Sequence, residues 1–258
     1  MKKFPGRNSQ IGLVSEGPFT LNFSWIVSFI LIVITICSLP AKSQPKYFQQ
    51  RTDYDILVSL DDKKHFLNGS ITIRYTNNSP DTLEFIYIHL WPNAYKDRNT
   101  ALSKQLVENG HKSLYFAKAE DRGYIDSLDF KINEKKCTIL YDPMYADICK
   151  ITPETPANPG ETVTITTPFR VKIPSGKFSR FGHMDQSYFI SQWYPKPAVY
   201  DKNGWNQMPY LDQGEFYSEF GSFKVSITIP ENYVVASTGI LQDQKEIEWL
   251  EKRVQVTE

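Results

Sequence analysis

His65, His89, His111 and His183 are the imidazoles this chain can offer to a metal. No two of them lie three to five positions apart, the spacing that presents a pair to one ion, so no metal site can be read. His89 closes an apolar strand pattern and reads as a hydrogen-bonded structural residue. His183 stands in Phe181-Gly182-His183-Met184-Asp185, an aromatic loop where a surface or pocket role is open to it. Ser187 and Ser191 lie outside any Gly-x-Ser-x-Gly elbow, which leaves a hydrolytic triad without its nucleophile. Asp201, Asp212, Glu215 and Glu219 could supply an acid and a base, yet their spacing sets no separation between carboxyls. Gly204, Gly214 and Gly221 are too scattered to cradle a phosphate. The sequence therefore names no catalytic residue and no metal ligand.

Composition narrows the class further. The 258 residues carry 29 Lys plus Arg against 29 Asp plus Glu, a formal net charge of +0. Without a broad basic field, nucleic acid is excluded as a partner. Aromatic residues make up 14% of the chain, and Val, Ile and Thr recur in short runs broken by Asn, Gly, Pro and Asp, the composition of a strand-rich globular domain.

The N-terminus has a different character. Lys2, Lys3 and Arg7 precede an apolar run at 24–39. That run is about 16 residues, short of the roughly 20 that span a bilayer, and Ala41-Lys42-Ser43 fits a small-x-small cleavage site. Residues 1–43 are read as a signal peptide or as an uncleaved signal anchor. Either way the remainder is exported, to the periplasm or the extracellular space, and an uncleaved 24–39 would tether it to the membrane. Export gives Cys137 and Cys149 a compartment where disulfides persist. A hairpin around Asp142-Pro143-Met144 would bring the two thiols opposite each other; two separate buried thiols are the alternative.

Period-two alternation at 54–60 and 67–75, across the turn 61–64, predicts a hairpin. An interior strand at 83–90 would continue it as a meander. Thr100 can cap a short peripheral helix at 101–108 that Asn109-Gly110 ends. Strand patterns resume at 124–132, 137–141, 148–151 and 162–173, where Pro168 points to an edge or a bulge. Long aromatic loops at 178–186 and 195–215 flank a short strand, a strand at 220–229 follows, and 233–237 is expected beside it. Asn68-Gly-Ser70 and Asn77-Asn-Ser79 match the glycosylation triplet but read as turn chemistry. Residues 44–240 thus form one all-β domain, and 241–258 a charged, helix-prone segment that reads as truncated.

One stretch is more specific: Phe189-Ile-Ser-Gln192-Trp193-Tyr194-Pro195-Lys196-Pro197-Ala198-Val199-Tyr200-Asp201, continuing to Gly204-Trp205. It resembles the N-terminal domain of aminopeptidase-N-like zinc peptidases of the gluzincin type (peptidase family M1), particularly the exported bacterial branch. Three further pieces agree in order: Tyr54-Asp55-Ile56, Gly160-Glu161-Thr162 leading to Pro168-Phe169-Arg170-Val171-Lys172-Ile173-Pro174, and Val234-Val235-Ala236-Ser237-Thr238-Gly239.

The resemblance implies a saddle-shaped, multi-sheet β-sandwich that packs on a thermolysin-like catalytic domain and walls one side of its peptide cleft. In that family the zinc is held by His-Glu-x-x-His and a later Glu, all in the catalytic domain, so this chain is expected to hold no cofactor and to be no enzyme by itself. The resemblance also implies that Gln192 and Tyr194 occupy the loop reading roughly Gln-Phe-Glu-Pro, which meets the free amine of the substrate. Here Tyr194 stands in place of the acid, which removes the charge that would pair with an ammonium group. Trp193 and Trp205 would lie at the domain interface or in the aromatic loop. A rival reading is a free-standing exported module for surface glycans or peptides, stacking sugars on Trp193, Tyr194, Trp205 and Tyr210.

Overall fold

The computed structural model of the protein describes residues 47–257. Residues 1–43, read from the sequence as a signal peptide or anchor, lie outside the described residues. Strand β1 (Arg51–Asp61) turns back into β2 (Phe66–Thr76), paired in register from Arg51↔Thr76 to Asp61↔Phe66. The turn is held by the Asp61 carboxylate, which accepts from the backbone N–H groups of Lys63 and Lys64.

The expected meander does not form. After β2 the chain crosses to a second sheet, where β3 (Ile86–His89) lies, shorter than the 83–90 run suggested. Asn77 anchors the crossover. Its buried Oδ1 accepts from Gln50 and Ser79, and its Nδ2 donates to the carbonyls of Asp81 and Ala157. That is the turn chemistry expected of Asn77, whereas Asn68 lies inside β2 on its exposed face.

Helix α1 (Ala101–Glu108) begins where Thr100 Oγ1 accepts from Ser103 N–H. It is short and peripheral, burying one face through Leu102, Ser103 and Leu106 while Lys104 and Glu108 stay exposed. The expected strand at 124–132 divides into β4 (Tyr124–Asp126) and β5 (Lys131–Ile132), the latter followed by β6 (Lys135–Lys136). Then β7 (Thr138–Tyr141) and β8 (Ile148–Thr152) make the hairpin anticipated for the cysteines.

Its register separates them. Cys149 pairs with Tyr141, leaving Cys137 four residues away along the ladder, and both thiols are free. At about 3.3 Å per residue that offset exceeds the roughly 7 Å between Cα atoms that a disulfide spans. Burial also pushes the Cys149 thiol up to about 12, so it stays protonated.

Strand β9 (Thr162–Lys172) pairs with the full length of β2. Pro168 lies on a locally open edge of β9, with no bulge in its pairing to β2. It sits where the other neighbour is interrupted, between β4 (opposite 170–172) and β5 (opposite 165–166), so its missing N–H forfeits no ladder bond on that side. Two small hairpins follow. They are β10 (Gly182–Met184) with β11 (Ser187–Phe189), and, after β12 (Lys196–Pro197), β13 (Val199–Asp201) with β14 (Gly204–Asn206). Strand β15 (Phe223–Thr228) returns to lie parallel to β1 at the sheet edge. Residues 233–237 form no strand beside it, and α2 (Gln244–Thr257) ends the described chain.

The main sheet runs β15-β1-β2-β9-β5-β6 and the second β12-β3-β8-β7, so the protein is all-β and multi-sheet. Alternation builds its rows directly. Phe223, Tyr54, Ile73 and Ile165 stand abreast on one face, as do Val225, Ile56 and Ile71. Together with Ile86, Ile88, Cys149 and Ile151 of the second sheet, the inner members of these rows form one core.

Candidate functional site

The segment 192–196 leaves β11 and enters β12, and its geometry is unusual from its first residue. Gln192 has φ 54°, in the left-handed region that residues with a side chain rarely adopt. From there its amide Oε1 accepts a short hydrogen bond from Lys196 Nζ. Lys196 is only 3% exposed, and its Nζ lies 3.9 Å above the Trp91 ring and 5.6 Å from the Tyr194 ring. Burial holds this amine down to about 7. Across the ladder from Lys196 stands His89. Burial, then the Lys196 charge, lower the imidazole to about 3, so it is neutral, and its Nε2 accepts from Met208 N–H. That is the structural role read for His89.

Trp193 and Tyr194 extend the same site toward β15. Trp193 packs on Phe169 at 5.9 Å and on Tyr194 at 5.4 Å. Tyr194 meets Tyr54 edge-on at 5.5 Å, and Tyr54 stacks on Phe223 at 4.4 Å. Burial pushes the Tyr194 phenol up to about 12, so this residue is neutral. The fold thus brings Tyr194 to the β15 side of the main sheet, while Trp193 packs over Phe169 of β9 and Gln192 turns to Lys196. Trp205 belongs to another cluster, with Tyr75, Phe85, Tyr87 and Tyr200. Tyr210 is buried beneath Trp91, Tyr95 and Phe216. The sugar-stacking platform of the rival reading is therefore not assembled, because no shared face exposes its four rings.

Two groupings escaped sequence reasoning. Glu219 is buried at the foot of the sheet, with its Oε1 and the nearby Tyr75 Oη unpartnered. Burial, with a smaller contribution from Asp201, raises its carboxyl to about 7. Nothing in the local sequence distinguishes Glu219 from Glu215. The second grouping pairs His65 with His183, 118 positions downstream by their numbers, as parallel rings 3.6 Å apart. His65 Nδ1 also lies 2.8 Å from Tyr188 Oη, which donates to the Asp62 carbonyl. Burial lowers both imidazoles, and the stacked rings face each other rather than a common ion. Among the described residues no group of three or more His, Cys, Asp or Glu is placed to hold a metal. Among the same residues no helix is long and apolar enough to cross a membrane.

No protein-family model matches the chain, and no curated protein matches it. Solved structures do. An M1 zinc metallopeptidase from Deinococcus radiodurans matches at 14% identity and a TM-score of 0.44, over 76% of this chain and 36% of that one. A mutant form bound to a Tyr-Ser-Ala substrate gives the same figures. A two-domain M1 zinc metallopeptidase bound to L-arginine matches at 14% and 0.40, over 80% of this chain and 38% of that one. The chain thus spans little more than a third of these proteins, and at this level of likeness neither activity nor site residues carry over from them.

Proposed function

We propose that this chain is the non-catalytic, β-rich N-terminal portion of a zinc-dependent peptidase of the aminopeptidase-N type. Its physical task is to wall one side of a peptide cleft whose zinc-bearing, thermolysin-like domain lies outside these residues. The observation that carries the reading is where the resembling segment falls. Tyr194 is braced against Tyr54 and Phe223, and Trp193 against Tyr194 and Phe169, beside an edge strand whose apolar residues are largely uncovered. A rigid loop next to an uncovered apolar face is what a domain that borders a cleft and packs on a neighbour must present.

Zinc supplies a Lewis acid and an activated water in such enzymes, and in this reading those belong to the partner domain, while this chain contributes shape and a neutral surface. Export to the periplasm or cell exterior, with residues 24–39 as signal or tether, completes the proposal. The test is the coding sequence downstream of Glu258. A His-Glu-x-x-His motif followed by a later Glu supports it; unrelated sequence in every frame sinks it.

A further inference from the structure

The rings of His65 and His183 lie 3.6 Å apart and nearly parallel, and each belongs to a different segment. His65 ends the β1–β2 turn, where its φ of 56° is a setting that Gly or Asn takes with less strain. His183 is the middle residue of β10, opposite Tyr188 of β11. Further contacts join the same segments. Tyr188 Oη lies 2.8 Å from His65 Nδ1 and donates to the Asp62 carbonyl. Tyr233 donates to the Asp62 carboxylate, and its ring meets Tyr188 edge-on at 5.8 Å. At the base of the hairpin, His183 N–H donates to the Pro174 carbonyl and Gly176 N–H to that of His183. A hairpin with three residues in each strand is not stable by itself, so its seat depends on these contacts.

Two imidazoles can rest face to face only while they are not both charged, because like charges at this distance repel strongly outside bulk water. The surrounding charges do not hold two protons there. Lys172 of β9 opposes protonation of both rings, whereas Asp62 and Asp61 favour it at His65, and the Asp185 backbone and Asp121 favour it at His183. Among the described residues no carboxylate forms an ion pair with either ring. Burial outweighs the acids and lowers both rings from 6.5, while it keeps the Tyr188 phenol protonated.

We propose that the His65–His183 stack is an acid-sensitive clasp: neutral rings seat the β10–β11 hairpin on the β1–β2 turn, and protonation of the pair parts them and frees the hairpin. Both rings take a proton less readily in the stack than in water, so the clasp contributes fully above 6.5 and is lost as pH falls below it. Strand β11 ends at Phe189, three residues before Gln192, so a freed hairpin also loosens the loop that carries Trp193 and Tyr194. Acid would then unseat one wall of the cleft. That consequence rests on the cleft-wall reading; the clasp does not.

The experiment is hydrogen exchange on the full chain at several pH values on both sides of 6.5, corrected for the chemical exchange rate, with β9 as internal reference. In the wild type, protection of 182–189 should fall relative to β9 by up to about tenfold per pH unit for each proton taken up on opening. His183→Phe keeps a ring over His65 but cannot be protonated, and should lose most of this dependence. A fall of equal steepness in both proteins refutes the clasp, and so does a flat wild-type profile.

Should His183→Phe not fold, proton NMR of the imidazole C2–H signals of the wild type decides the same point. Linked titrations of the two rings below 6.5, in step with hairpin exchange, support the clasp; two independent titrations at the free value refute it. Protection of 190–197 falling together with 182–189 supports the loosened loop, and unchanged protection there removes that half. Exchange reads the clasp whether or not a peptidase domain follows, so the cleft-wall reading fails separately, on the downstream sequence.

Discussion

On β9 the residues Val163, Ile165, Phe169 and Val171 are all buried, whereas on β15 Phe223, Val225 and Ile227, in the same alternation, are 51%, 41% and 43% exposed. The two strands belong to one sheet, and their apolar residues stand on the same face through β1 and β2. What differs is the cover. The second sheet and α1 contribute to the core that β9 joins, and β15 lies at the edge with all six residues exposed. Alternation therefore specifies a face that can be buried, and the neighbours decide whether it is.

The comparison breaks most directly by truncating one residue on each strand. Ile165→Ala should cost about 2–5 kcal/mol, the range for emptying a packed site, and Ile227→Ala less than about 1 kcal/mol, both read from urea denaturation. Equal losses would mean that β15 is covered after all. Gly221 offers the next largest effect, because a Cβ there would come within 1.6 Å of the Thr52 carbonyl oxygen. Gly221→Ala should cost about 1–3 kcal/mol, as overpacking does, and should speed hydrogen exchange in 223–228 while leaving β9 protected. Uniform loss of protection would show the edge and the interior to be one cooperative unit.

Two buried groups of opposite charge type sharpen the contrast through pH. Glu219 has a folded value near 7 against 4.5 for a free carboxyl, so its contribution is full below 4.5 and is lost as pH rises through about 7. Lys196 is lowered from 10.5 to about 7, so its contribution is full above 10.5 and is lost as pH falls through about 7. Subtracting the stability profile of Glu219→Gln from that of wild type should leave a falling limb between pH 4.5 and 7. Subtracting that of Lys196→Met should leave a rising limb between 7 and 10.5. Flat difference curves would place either group in water. The smallest effect is expected from Ile227→Lys, which should alter stability by no more than about 0.5 kcal/mol. A charge on an open edge blocks edge-to-edge pairing, so light scattering should show less aggregation than in the wild type, and unchanged aggregation would acquit β15 as the sticky surface.

Much of the fold was legible where the signal is local. The β1–β2 hairpin followed from alternation around 61–64, and α1 from Thr100 and Asn109-Gly110, because turns and caps are satisfied within a few residues. The β7–β8 hairpin was legible too, but not its register, since the turn from Asp142 to Asp147 sets which residues oppose, and it put Tyr141 across from Cys149. Long-range pairing was illegible. Nothing near 223–228 states that it returns parallel to β1, and 233–237 carries the same apolar composition without becoming a strand. Of the candidate site, Gln192, Trp193 and Tyr194 were named from one stretch of chain, while Trp91, Tyr54 and Phe223 came from strands and turns far away.

The sequence alone determined that the chain is strand-rich, where its local turns and first helix fall, and which residues alternate toward a core, because these follow from backbone preference and side-chain polarity within a few positions. Only the tertiary structure decided that Lys196 and Glu219 are buried while their like elsewhere are solvated, and that His65 meets His183. Desolvation and stacking depend on what surrounds a group in space, and in this fold those surroundings are assembled from segments as far as 171 positions apart, as when the Tyr233 hydroxyl donates to the Asp62 carboxylate.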